Sequence, residues 1–283
     1  MRSSFTPCMI IVFIIFIIAV WIIKGYISWN PSAEKFYSGD MMSVLSHRGA
    51  SQQAHENTNA SIIAAFDQSA NGIEVDIMKT ADNQIILHHD FDIKHQQKGN
   101  KYIADLTFEE IQGIQASQLA GDSLSELEMI PKLEDIFDNI PSDGLINLEI
   151  KTRRLIASGF ESELVKIIQD HKIMDRVLIS SFNPMVIRKI KKINKDIQTG
   201  LVWKTKDEWI FKRPPLLFSY IGRADAIHIE IHSASTELVD KCKRLGLKIN
   251  MWTVNTKEEF KRAKLFGADG IITDEIKYIL EIL

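Results

Sequence analysis

The sequence predicts an α/β fold: a (β/α)8 TIM barrel with a small insertion after the second-strand hairpin, plus an N-terminal transmembrane helix. Three observations predict it. Short apolar runs alternate with helix-like stretches along most of the chain, which is the pattern of βαβ units around a parallel sheet. About 250 residues follow the N-terminal apolar segment, the usual size of one such barrel. The first 33 residues hold no acidic residue and contain a charge-free apolar run at positions 8–23.

Candidate strands fall at 44–47, 72–76, 85–88, 145–150, 177–181, 199–203, 226–229, 248–254 and 270–272. Helical patterns lie at 57–70, 159–170, 184–193, 236–245 and 256–266. One connection has no room for a helix. Residues 80–84 (Thr-Ala-Asp-Asn-Gln) separate the second and third runs, and five residues with Asp-Asn at their centre make a hairpin turn. The run at 85–88 is then a return arm, and eight parallel strands remain. An open doubly wound sheet is the alternative architecture. Residues 91–130 fit the repeat poorly and read as an insertion at the barrel mouth, after which 131–140 resumes a helix. A second irregular stretch, 204–220, mixes aromatic residues (Trp209, Phe211, Phe218) with Lys212, Arg213 and two prolines; it reads as a barrel helix with a proline break, or alternatively as a patch that touches a membrane.

The run at 8–23 covers about 24 Å of a roughly 30 Å hydrocarbon core. Snorkelling of Lys24 and the interfacial aromatics Trp21, Tyr26 and Trp29 extend it. The expected organisation is an anchor over 1–29, a linker over 30–41 and a catalytic barrel over 42–283. The protein is then a single-pass protein of the cell membrane. Basic residues flank the run almost equally, and the short basic lead favours an extracytoplasmic body. A net charge of −3 excludes a nucleic-acid polyanion as partner. Only Cys242 lies beyond the first 30 residues, so neither a disulfide framework nor a thiolate metal site is available to the barrel.

In a barrel of this kind, chemistry gathers where strands end. The first strand ends in Ser46-His47-Arg48-Gly49, the second in Glu74-Val75-Asp76, the hairpin in His88-His89-Asp90, and the next barrel strand in Glu149-Ile150-Lys151. Glu74 and Asp76 share a face of one strand, as do Glu149 and Lys151 on another. Three carboxylates at one mouth repel unless a proton or cation intervenes, and an oxygen-only ligand set suits a divalent cation, Ca2+ or Mg2+. Histidine titrates near neutrality, so His47 and His89 suit a general acid and base, although the alternation of His88 and His89 does not by itself choose between them. Arg48 and Lys151 add positive charge suited to phosphate oxygens, and Arg48 has an alternative partner in Glu56 or Asp76. A metal, two cations and two histidines together suit a phosphate ester.

The ordered motifs His47-Arg48-Gly49-Ala50, Glu56-Asn57-Thr58, Glu74-x-Asp76, Thr80-x-Asp82, His89-Asp90, Glu149-x-Lys151 and Trp252-Thr253-Val254-Asn255 resemble the glycerophosphodiester phosphodiesterase family over about residues 42–275. The resemblance implies a (β/α)8 barrel that hydrolyses glycerophosphodiesters to glycerol 3-phosphate and an alcohol. It implies metal ligands at Glu74, Asp76 and Glu149, an acid/base pair at His47 and His89, and phosphate contacts at Arg48 and Lys151. Trp252 lines the glycerol pocket and Glu56 supports the site. Three positions depart from the family pattern: His55 stands where proline is usual, His95 where arginine is common, and Glu275-Ile276 follows Thr273-Asp274 without the common proline. With an anchor, the expected substrates include lysolipids and wall polymers. A phospholipase D-like activity on lysolipids, or a barrel that binds glycerol phosphate without turnover, is the alternative. Oligomeric state is not readable from the sequence.

Overall fold

The computed structural model describes residues 7–39, 41–92, 102–112, 129–205 and 214–283. The chain divides into two compact units, Met1–Asn30 and Pro31–Leu283. The first contains helix α1 (Pro7–Ile27). Among the described residues, no helix is long and apolar enough to cross a membrane. This overturns the expected N-terminal transmembrane helix, the membrane as a partner through it, and the single-pass placement with an extracytoplasmic body. The physical reason is length. The charge-free run at 8–23 is sixteen residues, closed by Lys24. At about 1.5 Å per residue it spans about 24 Å, short of a roughly 30 Å hydrocarbon core.

The second unit is a closed barrel of eight parallel strands. They are β1 (Ser43–His47), β2 (Gly72–Lys79), β4 (Leu145–Ile150), β5 (Val177–Ser181), β6 (Gln198–Trp203), β7 (Ala226–Glu230), β8 (Lys248–Trp252) and β9 (Gly270–Thr273). Each pairs with its neighbour in chain order, and β1 pairs with both β2 and β9, which closes the sheet. The short strand β3 (Ile85–Leu87) runs back antiparallel along the far end of β2, with Ile77 opposite Leu87. This is the expected hairpin arm standing above the barrel.

Strand alternation sorts the side chains. On β2, Ile73, Val75 and Ile77 join the apolar layer under the outer helices, whereas Glu74 and Asp76 take the opposite face. On β4, Ile146, Leu148 and Ile150 face the helices while Asn147 and Glu149 face inward. The helices around the barrel are α2 (Asn59–Asp67), α4 (Glu161–Asp170), α5 (Pro184–Ile193), α6 (Pro215–Gly222), α7 (Thr236–Arg244), α8 (Lys257–Phe266) and α9 (Ile276–Ile282), with the short α3 (Phe108–Gln112) in the 91–130 segment. Their starts follow from local chemistry. Thr58 and Thr256 form capping boxes with Ser61 and Glu259, and Asn183 caps α5 with Pro184 in its first turn. In α5, Val186, Ile187 and Ile190 are buried while Lys189 and Lys192 are exposed, a helical stripe against the sheet.

The helix expected at 131–140 forms as a 3-10 helix (Glu134–Asn139). Its first residues are tied to β3, since Leu87 N–H donates to Pro131 O and Leu133 N–H donates to Ile85 O. Within 91–130, the described part packs Ile103, Leu106, Ile111 and Ile130 against Met78 and Ile86, a small apolar cluster over the hairpin. Glu126, Glu128 and His95 lie outside the described residues, as do Trp209, Phe211, Lys212 and Arg213 of the aromatic-basic stretch. Its end forms α6.

Residues 31–39, read above as part of a linker, belong to the barrel unit. Ala33, Phe36 and Tyr37 pack with Leu45, Leu178, Ala226 and Ile272. Phe36 N–H donates to Gln198 Oε1 at 3.0 Å. Phe36 is fully buried. Replacing it with alanine is expected to destabilise the barrel by about 3–5 kcal/mol, read as a lowered urea midpoint with an unchanged slope.

Candidate active site

The barrel's strand ends bring most of the sequence-predicted residues to one cavity of about 280 Å³. His47, Arg48, Glu74, Asp76, His89, Glu149, Lys151 and Trp252 line it, together with Phe182 and His228. His89 faces this cavity and His88 does not. Glu56 is absent from the lining and stands behind Arg48.

Strand register explains the gathering. His47 is level with Glu74 across the β1–β2 pairing, and Asp76 is level with Glu149 across β2–β4. Glu74, Asp76 and Glu149 each place a carboxylate oxygen within 4.8 Å of the others. Glu74 and Asp76 are buried and Glu149 is half-buried. Burial and the adjacent Asp76 charge push Glu74 up to about 8. Burial also pushes Asp76 up, but Lys151 and Arg48 outweigh it and hold Asp76 at about 2. A buried carboxylate this reluctant to ionise needs a proton or a cation beside it. The donor set is all oxygen, and it fits a hard divalent cation.

The two cations are anchored by the same carboxylates. Arg48 Nη1 donates to both oxygens of Glu56, at 2.9 and 2.8 Å, and Nε lies 3.3 Å from Asp76 Oδ2. Arg48 adopts a positive φ of 56°, and its backbone N–H donates to Glu74 Oε2 at 3.3 Å. Gly49 follows at φ 77°, where a Cβ would stand 2.3 Å from Ser61 Oγ. Glycine therefore lets this turn press against the start of α2. Lys151 Nζ donates to Glu149 Oε1 at 2.9 Å and lies 3.3 Å from Asp76 Oδ1. Burial opposes its charge, but Glu149 and Asp76 raise its pKa above the ordinary lysine value.

The histidines sit in unequal surroundings. His47 Nδ1 is hydrogen-bonded to Asp274 Oδ1 at 2.7 Å. Asp274 is itself held, because Asn255 Nδ2 donates to its Oδ2 at 2.7 Å and its N–H donates to Asn255 Oδ1. Burial pulls His47 down, but Asp274 and the Glu74 charge outweigh it and raise its pKa. His89 Nδ1 is hydrogen-bonded to Asp90 Oδ1 at 2.8 Å. Burial lowers His89 to about 4, with Lys151 and Arg48 opposing the attraction of Asp76. In both rings the Nδ1 bond leaves Nε2 available for proton transfer.

Trp252 Nε1 donates to His228 O at 3.0 Å, and its ring meets Phe182 edge-on with centroids 5.9 Å apart. These rings form an apolar part of the cavity wall.

Several contributors were not singled out from the sequence. Asn57, at φ 58°, donates to Asp76 Oδ2 at 3.1 Å and accepts from Asp76 N–H at 2.9 Å, clamping that carboxylate. Asp274 is the clearest omission. In a closed barrel the last strand lies beside the first, and Ser46 pairs with Thr273. The residue after Thr273 therefore falls beside His47, so the strand-end rule applied to the last strand would have found it. Phe182 follows the end of β5 by the same rule.

The sequence matches the model of the Glycerophosphoryl diester phosphodiesterase family over residues 47–278. The chain belongs to this family. It is similar to the glycerophosphodiester phosphodiesterase of Caldanaerobacter subterraneus subsp. tengcongensis, 33% identical over 241 residues, covering 85% of this chain and 97% of the relative. The fold is shared with an Oleispira antarctica phosphodiesterase solved in complex with the product sn-glycerol-3-phosphate. That structure has a TM-score of 0.73, is 24% identical, and the match covers 87% of this chain and 98% of that one. It is shared also with the glycerophosphodiester phosphodiesterase of Agrobacterium tumefaciens str. C58, with a TM-score of 0.69, 18% identity and coverage of 85% and 100%. As a member of the glycerophosphodiester phosphodiesterase family, the chain is an enzyme that hydrolyses glycerophosphodiesters.

The His47–Asp274 pair gives a titration test. A histidine with a raised folded-state pKa gains stability from its partner that is complete below about pH 6.5 and fades as pH rises through the folded value. In metal-free protein, Asp274→Asn is expected to lower the His47 pKa and remove that contribution. Imidazole NMR titration reads the shift; an unchanged His47 pKa would remove Asp274 from the account.

Proposed function

We propose that the cavity releases glycerol 3-phosphate and an alcohol from glycerophosphodiesters by acid–base catalysis from His47 and His89, assisted by a divalent cation. The observation that carries this reading is the meeting of three mutually close carboxylates, two cations and two Nδ1-tethered imidazoles around one small cavity. The product named in the Oleispira antarctica structure is consistent with it.

Glu74, Asp76 and Glu149 would hold the cation, Ca2+ or Mg2+, which supplies positive charge against the phosphate when bound. Arg48 and Lys151 bind the remaining phosphate oxygens and orient the phosphorus. Glu56 and Asp76 hold the Arg48 guanidinium in place. Trp252 and Phe182 pack against the carbon skeleton of glycerol and exclude water from that side. One imidazole accepts the proton of the attacking hydroxyl, from water or from the neighbouring glycerol hydroxyl; in the second route the cyclic phosphate so formed is opened by water to give glycerol 3-phosphate. As the phosphorus–oxygen bond to the departing alcohol breaks, the other imidazole delivers a proton to its alkoxide oxygen. The expectation of membrane-lipid and wall-polymer substrates rested on the N-terminal anchor, which the structure does not support, and on the aromatic-basic stretch at 209–218, of which 209–213 lie outside the described residues.

Assay of glycerol 3-phosphate release by the full chain tests the reading. Turnover is expected to vanish with chelator and return with added divalent cation. His47→Ala and His89→Ala are each expected to lower turnover by about 10²–10⁴ while keeping cation affinity by calorimetry. Turnover that survives chelation, or histidine variants with undiminished rates, would refute it. Asn57→Ala, which releases Asp76, is expected to weaken cation binding by about 10–100-fold in the same calorimetry.

A further inference from the structure

A second cavity of about 250 Å³ adjoins the first, sharing Glu149, Lys151, Phe182 and Lys204 with it and adding Arg154. Among the described residues that line it, three cations, Lys151, Arg154 and Lys204, face a single carboxylate, Glu149. Glu149 already accepts from Lys151. Among the described residues, neither Arg154 nor Lys204 has a carboxylate within ion-pair distance.

Lys204 is half-buried and Arg154 is exposed. Lys204 Nζ stands 6.0 Å from the centroid of the Phe182 ring, and Lys151 Nζ stands 5.9 Å from the same centroid. Phe182 thus links the charge of the reacting cavity to that of its neighbour. Arg154 is fixed through its backbone, donating N–H to Thr152 Oγ1 at 3.1 Å and accepting from Asn183 Nδ2 at 2.8 Å. Its guanidinium lies over Gly159, where φ is 97° and a Cβ would stand 2.6 Å from Nη1. A side chain at position 159 would displace it.

We propose that this second cavity receives the departing alcohol and selects one that carries an anionic group, a carboxylate or a phosphate. This deepens, and rests on, the hydrolysis proposed for the first cavity. Lys151 and Glu149 border both cavities, so a diester whose glycerol phosphate occupies the first extends its alcohol into the second. An anionic alcohol there meets Lys204 and Arg154 directly. A quaternary ammonium alcohol meets like charges at Lys204 and Arg154, and Glu149, already accepting from Lys151, offsets them only in part. Lys204 and Arg154 act here as specificity determinants and touch none of the atoms that react.

Three diesters of glycerol 3-phosphate with alcohols of similar size, namely glycolate, ethylene glycol and choline, separate the possibilities on the full chain loaded with divalent cation. The expected order of kcat/KM is glycolate, ethylene glycol, choline, with glycolate ahead of choline by at least about tenfold at low salt. Raising the salt concentration narrows that ratio through screening. Lys204→Glu is expected to reverse the glycolate-to-choline ratio, mainly through KM, and Arg154→Glu to shift it the same way. Equal kcat/KM for the three, a choline preference in the unmodified chain, or a ratio unmoved by both variants would overturn the proposal. If neither variant folds, the order among the three diesters in the unmodified chain still decides. Turnover of none of the three overturns the hydrolysis reading itself and this proposal with it, whereas turnover without charge preference overturns only this proposal.

Discussion

Asp76 is buried at the end of β2 between Arg48, Lys151 and the amide of Asn57, and the rest of the mouth is organised around that compensated charge. An uncompensated buried carboxylate is costly, and removing one partner of a buried ion pair typically costs about 3–5 kcal/mol. Each partner is in turn fixed by a further acid. Glu56 grips the far side of Arg48, and Glu149 accepts from Lys151. The outcome is a lattice of alternating charges whose members cannot move singly. Among the described residues no side-chain cation forms an ion pair with Glu74; burial and the Asp76 charge raise its pKa, and an added divalent ion suits the group.

Barrel closure supplies the geometry. β1 pairs with β9 on one side and β2 on the other. His47, at the end of β1, therefore has Asp274 on one flank and Glu74 on the other. The pairing of β2 with β4 sets Asp76 beside Glu149. These residues are separated by as many as 227 positions in the chain, and backbone hydrogen bonds rather than side-chain searching bring them within reach. Trp252 and Phe182 form an apolar part of the cavity wall. Elsewhere in the barrel Tyr37, from the segment before β1, approaches His228 Nε2 at 3.5 Å. Burial lowers His228 to about 3, so it stays neutral beneath the cavity.

Much of this was legible in the sequence. Alternation of β-branched runs with amphipathic stretches sufficed for eight parallel strands and the hairpin, because strand and helix periods are local properties. Pairs two apart, Glu74 with Asp76 and Glu149 with Lys151, had to share a face for the same reason. The motifs were dense enough to identify the family. The expected anchor depends on extending a sixteen-residue charge-free run through Lys24 to Trp29, and among the described residues no helix is long and apolar enough to cross a membrane. The helix expected at 131–140 begins only at Glu134, because pairing with β3 takes the residues before it, which no local pattern records.

The sequence by itself determined the strand faces, the helix caps and the chemical inventory of the mouth, since each depends on neighbours within a few residues. Only the tertiary structure decided which partners the inventory acquires. The tether from Asp274 to His47, the clamp of Asn57 on Asp76 and the excess of cations among the described residues of the adjoining cavity all follow from strand register and loop placement. Those are set by hydrogen bonds and packing between segments far apart in the chain, and a one-residue change of register would turn every inward side chain outward.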